Sequence, residues 1–208
     1  MSQTTQHSSV PAVAISRSSI KEAAQRIASY IRVTPILKLE PGAFNAKAHL
    51  TLKLESCQHT GSFKPRGAFN RILSYPVPSA GVIAASGGNH GAAVAYAARQ
   101  LGYRAEIFVP EISSPIKIER LKHYGAHVTV VGANYAEALE ASNDRTVETG
   151  ALVVHAYDQS EVLAGQGTVG REFALQAPKL DTVLVAIGGG GLIGDCSLVS
   201  GRGTSRRR

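Results

Sequence analysis

The sequence predicts an α/β fold: open, mainly parallel sheets with helices on both faces. Three observations predict it. Short apolar runs recur from residue 81 to residue 187, the segments between them are long enough for a helix and carry helical apolar spacing, and glycine-rich turns follow two of the runs, at 86–91 and 188–191. Strands separated by helices must cross over to parallel partners, which covers both faces of the sheet.

Taken in order, "SIKEAAQRIASYI" (19–31) is the first helix. Ser19 and Glu22 have capping-box spacing, and Ile20, Ala23, Ala24, Ile27 and Ile31 fall on one face. Thr34-Pro35 ends it, because the residue before a proline is pushed out of helical geometry. "HLTLKLE" (49–55) alternates like a half-buried strand. A second helix starts at Lys64, where Pro65 sits in the first turn and its missing N–H costs nothing. The alternation follows: strand 81–86, helix 91–102, strand 104–110, helix 114–125, strand 126–132, helix 134–150, strand 151–157, helix 165–176, and a strand from 181 that runs into four glycines.

Composition narrows the function classes. With 208 residues and 44% hydrophobic content the chain can bury one sizeable core, and no apolar run approaches the roughly 20 residues of a membrane span. The first twenty residues lack the basic start and apolar stretch of a secretory leader, so a cytoplasmic protein without membrane association is expected. Cys57 and Cys196 have no CxxC or histidine-rich context, so reduced thiols are expected and no metal site is. Of the net charge of +7, four arginines lie in the last seven residues; a basic tail alone supplies only sequence-independent attraction, and nucleic acid is not an expected partner.

In a parallel sheet, ligands gather at the carboxyl ends of the strands. Ser86, Gly87, Gly88, Asn89 and His90 follow a strand and open a helix, so free backbone N–H groups there suit a carboxylate. Gly188, Gly189, Gly190 and Gly191, with Leu192 behind them, form a side-chain-free nest that suits a phosphate. A dinucleotide reading competes, since Gly189, Gly191 and Gly194 match G-x-G-x-x-G, but the acidic residue expected about 20 residues later is absent. His90 and His155 read as packing or capping residues. Lys64 alone reads as a surface cation; beside a carboxylate nest and a phosphate nest it reads as an amine for an aldehyde cofactor, and that combination describes pyridoxal 5'-phosphate.

"HTGSFKPRGAFN", "ASGGNHGAAVAYAA", "GQGTVGREFALQ" and "AIGGGGLIG" resemble, in order and spacing, the threonine/serine dehydratase group of the fold-type II pyridoxal-phosphate enzymes, relatives of the serine racemases. The resemblance runs from about Ile20 to Ile193. It implies a two-domain architecture: a flexible segment 1–18, an incomplete large cofactor-binding domain of 19–76 plus 151–193, a small α/β domain of 77–150, and a basic tail 194–208 outside the family pattern. It implies that Lys64 bonds covalently to the cofactor and, once freed, removes the substrate Cα proton. Phe63 packs on the ring, Asn89 meets the ring hydroxyl, Ser86, Gly87, Gly88, Asn89 and His90 surround the substrate, and Gly188, Gly189, Gly190, Gly191 and Leu192 hold the phosphate. The implied reaction converts L-threonine or L-serine to a 2-oxo acid and ammonia. Racemases of the group carry a serine where this chain has Gly87, so dehydration is expected over racemisation; an inactive remnant or pseudoenzyme is the alternative. Self-association is usual for such folds.

After Ile193 the pattern breaks into "GDCSLVSGRGTSRRR". Codons permitted for residues 195–200, read one nucleotide later, give Ile-Ala-Ala-Trp-Phe, a plausible family helix, so a truncated or frameshifted product is expected. Independent resequencing of the coding DNA checks this: the expected result is a frame shift near codon 194, and an intact frame with the same stop overturns it.

Overall fold

The computed structural model describes residues 15–188 and 192. The chain opens with helix α1 (Arg17–Ile27), capped by Ser16, whose hydroxyl accepts from the Ser19 N–H while Ser19 reaches back to the Ser16 backbone. The capping box thus lies one turn earlier than the Ser19–Glu22 spacing predicts, because nothing in Arg17-Ser18 resists helix and Ser16 offers the earlier cap. Ile20, Ala23 and Ile27 are buried as expected, whereas Ala24 and Ile31 are half-buried. Beyond Ala28 the helix gives way to turns, and β1 (Ile36–Lys38) pairs antiparallel with β2 (Thr51–Lys53). That hairpin shortens the expected strand 49–55 and adds a strand the alternation did not reveal.

Helix α2 (Lys64–Leu73) starts with Pro65 in its first turn, as expected. The parallel sheet then forms from β3 (Val82–Ala85), β4 (Ala105–Val109), β5 (His127–Val130) and β6 (Leu152–Val153), in the order β5-β4-β3-β6. Helices α3 (Asn89–Gln100), α4 (Pro115–His123) and α5 (Tyr135–Thr149) connect the strands, and α6 (Ser160–Gln176) follows β6. The order places β4 and β6 on opposite sides of β3, so the chain switches direction there and leaves a crevice at the carboxyl ends of β3 and β6. β6 belongs to the sheet of residues 82–130, which therefore spans the expected boundary between 150 and 151.

Two further expectations are corrected. β6 is far shorter than 151–157, because the Gln159 side chain takes its backbone groups: its amide donates to Val153 O and its oxygen accepts from the His155 N–H. Residues 182–187 form no strand. A strand needs a neighbour for its N–H and C=O groups, and none among the described residues pairs with them; Val183, Leu184 and Ile187 stay exposed.

The core lies between the sheet and α2, α3 and α6. Alanines on most sides of α3 (Ala92, Ala93, Ala95, Ala97, Ala98) are buried, which lets the helix pass close to the sheet and to α2. α2 and α6 meet still more closely. A Cβ on Gly67 would lie 2.8 Å from Val162 O, and one on Gly165 would collide with the Arg66 carbonyl, so only glycines permit the crossing.

Beside that crossing lies a buried ion cluster. Arg66 is completely buried; its Nε and Nη2 donate to the two oxygens of Glu55 at 2.8 Å each, and Nη1 and Nη2 reach Glu172 at 3.0 and 3.1 Å. Burial works against the Arg66 charge, but the two carboxylates outweigh it and hold the guanidinium above its ordinary value. Lys53 completes the cluster by donating to Glu172, Gln176 and Thr34 O. Removing one partner of such a group strands the others in a poorly solvated place, so Arg66→Ala is expected to lose about 3–5 kcal/mol of stability, whereas Lys122→Ala, which breaks the exposed pair with Glu119, leaves it nearly unchanged. Urea unfolding of both variants checks this.

Candidate active site

The chain enters α2 through two consecutive left-handed residues, Thr60 (φ 58°) and Gly61 (φ 68°). Glycine adopts that conformation freely, but a β-branched threonine does so under strain. The conformation is held from outside: Arg120, on α4, donates through Nη2 to Thr60 O. Through Nη1 the same guanidinium donates at 3.4 Å to the Asn89 side-chain oxygen. Arg120 thus ties the turn before Lys64 to the turn after β3, a link that no local pattern discloses.

Lys64 stands at the first position of α2, with Phe63 as its cap. Its amine is 5.1 Å from the Phe63 ring centre and donates to Ala156 O at 2.9 Å. Among the described residues it has no carboxylate partner. Burial therefore goes uncompensated and pushes the ammonium below the ordinary lysine value, enlarging the fraction of amine that carries a free lone pair.

Ser86, Gly87, Gly88, Asn89 and His90 occupy the carboxyl end of β3 and the start of α3. Gly88 is the helix cap and has no side chain to satisfy the first N–H groups, which stay available to an anion. Its own N–H donates to Ser86 Oγ at 3.3 Å. A Cβ on Gly87 would lie 3.0 Å from Ser113 Oγ, in the loop after β4. Asn89 is exposed, and its side-chain oxygen accepts from Arg120, which leaves its amide N–H groups facing solvent.

His90 is buried, and its Nε2–H donates to Val154 O at 2.8 Å. The packing role expected of it fits these surroundings. His155, half-buried nearby, is pushed below its ordinary value by burial and by Arg71. The structure therefore brings Lys64 and the 86–90 turn together: His90 bonds the carbonyl of residue 154 and Lys64 that of residue 156, on one stretch of chain leaving β6.

The glycine nest is different. Gly188 has open space where a side chain would be, and Gly189, Gly190 and Gly191 lie outside the described residues, as does Cys196. Leu192 is described as a half-buried residue, and no hydrogen bond or ring contact among the described residues joins it to Lys64 or the 86–90 turn. Among the described residues no cluster of histidine, cysteine or acidic side chains could hold a metal, and no helix is long and apolar enough to cross a membrane. A surface depression of about 280 Å³, lined by Arg26, Asn70, Tyr75 and Glu161 among others, does not include Lys64.

A half-buried amine with no carboxylate partner among the described residues, held on the same stretch of chain as the open start of a helix, suits a carbonyl compound that also carries an anionic group. Similarity to known proteins gives that class a family. Residues 27–198 match the model of the family described as pyridoxal-phosphate dependent enzyme, and the chain belongs to that family. It is 40% identical over 176 residues to an L-threonine ammonia-lyase of Geobacter sulfurreducens, covering 84% of this chain and 44% of that protein. It is 42% identical over 182 residues to the L-threonine dehydratase catabolic TdcB of Staphylococcus aureus, covering 86% and 53%. Among solved structures, maize serine racemase superimposes with a TM-score of 0.85 at 38% identity, covering 90% of this chain and 57% of that one. A T.th. threonine deaminase superimposes with a TM-score of 0.81 at 37% identity, covering 88% and 60%. The chain spans about half the length of the curated relatives it matches.

The buried histidine yields a test. Burial lowers His90 from 6.5 to about 4, so the folded chain binds its proton less readily than the unfolded chain does. The stability this preserves is whole above pH 6.5 and is lost as the pH falls from there toward 4. Between pH 7 and pH 5 the parent should lose about 2 kcal/mol more than His90→Gln, which keeps a donor for Val154 O but does not titrate. Urea unfolding at the two pH values measures the difference.

Proposed function

We propose that the chain derives from a pyridoxal-phosphate-dependent ammonia-lyase that converts L-threonine or L-serine to a 2-oxo acid and ammonia. The observation that carries this reading is the Lys64 amine: half-buried, paired among the described residues only with the neutral Ala156 carbonyl, and lowered in basicity. Such an amine fits an aldehyde, and the free N–H groups at the start of α3 fit an acid group beside it.

In this reading Lys64 holds the cofactor covalently, Phe63 packs on its ring, and Asn89 donates to its hydroxyl. Gly188, Gly189, Gly190, Gly191 and Leu192 hold its phosphate. When bound, the cofactor supplies an electron sink that makes the substrate Cα–H acidic. The protein supplies the rest. Ser86, Gly87, Gly88, Asn89 and His90 orient the substrate, its carboxylate resting on the α3 N–H groups. The Lys64 amine would receive the Cα proton, and burial, by lowering its basicity, enlarges the fraction that carries a free lone pair.

Gly87 favours elimination over racemisation. A glycine presents no proton-carrying group at that position, and Ser113 Oγ would crowd a side chain placed there. The remaining assignments follow the same reading: a cytoplasmic enzyme acting on a free amino acid, with self-association, and with a large domain of 19–76 plus 151–193 and a small domain of 77–150, joined through the β3–β6 pairing.

Incubating the purified chain with pyridoxal phosphate, reducing with borohydride and mapping the peptides tests the reading. The cofactor is expected on Lys64, with an absorption band that Lys64→Ala abolishes, and 2-oxobutyrate is expected from L-threonine. A band that survives Lys64→Ala overturns the assignment. Labelling of Lys64 without any oxo acid would favour the pseudoenzyme.

A further inference from the structure

Two donors share one acceptor in the crevice. Lys64 Nζ lies 2.9 Å from Ala156 O, and the Gln166 side-chain Nε2 lies 3.4 Å from the same oxygen. A carbonyl oxygen has two lone pairs and can take both, but 3.4 Å is beyond the ordinary N–H···O length, so the glutamine bond is weak while the lysine is in place. Gln166 is completely buried, and its other amide atom, Oε1, has no hydrogen-bond partner among the described residues. A buried amide with one long bond and one unused oxygen is not locked by other partners, and can move.

Its location fixes where it can move. Gln166 is in α6 between Gly165 and Gly167, and its Cγ lies 3.1 Å from where a Cβ on Gly67 would be, so it packs against the turn of α2 that begins with Lys64. The tight α2–α6 crossing therefore presses this amide toward the lysine's own acceptor.

We propose that Gln166 is a positioning residue for Lys64: its amide takes over the Ala156 carbonyl when the lysine amine leaves to meet a carbonyl compound, and yields it when the amine returns. The proposal rests on the reading of Lys64 as an aldehyde-reactive amine. A buried carbonyl left without a donor is costly, and that cost would otherwise oppose each departure of the lysine. With Gln166 in reach, one hydrogen bond replaces another.

The test uses the full, cofactor-free chain and a small aldehyde, so it does not depend on the cofactor. Reductive methylation with formaldehyde and cyanoborohydride is followed by peptide mass spectrometry, with the exposed Lys122 as internal reference. Gln166→Met preserves bulk but removes the donor, and should slow modification of Lys64 relative to Lys122 by about tenfold. Gln166→His, which retains a ring N–H of similar reach, should restore the rate to within about twofold of the parent. Equal rates in the parent and Gln166→Met overturn the proposal, as does equal slowing in both variants, which would mark a packing role. Faster modification in Gln166→Met also overturns it, because that is the effect of a loosened α6. Failure of pyridoxal phosphate to label Lys64 would sink the enzyme reading whatever these rates are.

Discussion

The buried Arg66 guanidinium is the constraint on which the arrangement around Lys64 depends. A charge removed from water must be paired and hydrogen-bonded, and the groups that satisfy Arg66 come from separate parts of the chain: Glu55 after β2, and Glu172 with Thr168 from α6. Pulling either of these two segments away would strand the charge. The first turn of α2 is thereby fixed against α6 and the β2 hairpin, and Lys64, two residues before the arginine, is fixed with it. The glycines at 67 and 165 make the same packing sterically possible, by letting two backbones meet where any side chain would hold them apart.

The second half of the site is set by the sheet. Because β6 joins the β3 side of the sheet opposite β4, the chain leaving β6 runs past the start of α3. Its carbonyls at 154 and 156 then become the acceptors for His90 and Lys64. Gln159 matters here despite being far from any motif: by capping Val153 and His155 with its amide, it ends the ladder early and frees the following residues to face the crevice rather than a neighbouring strand.

These two layers explain what was legible in the sequence. The alternating elements from 82 to 149 follow from local periodicity, and strands and helices there lie close to their expected places. Lys64 and the 86–90 turn were legible because glycines and a first-turn proline mark them. The errors have other causes. The first helix begins at Arg17 because Ser16 out-competes Ser19 as a cap, and the apolar run 182–187 is unpaired because strand identity depends on a neighbour that periodicity cannot supply. Ala156, Arg120 and Gln166 stayed hidden because their roles exist only in the tertiary fold. Gln166 sits inside a quoted motif, "GQGT", yet only the crossing of α6 over α2 discloses that its amide reaches an acceptor already used by a residue 102 positions earlier.

Comparison of two lysines shows how a fold assigns chemistry to one residue type. Lys53 lies in the ion cluster, where Glu172, Gln176 and the Thr34 carbonyl surround its ammonium. Those three acceptors commit the amine to holding elements together. Lys64 is also withdrawn from water, but among the described residues receives one neutral carbonyl and no counter-charge. Desolvation then acts alone and lowers its proton affinity. Glu55 and Glu172, by contrast, are committed to Arg66. The arginine serves the site by anchoring the helix that presents the lysine.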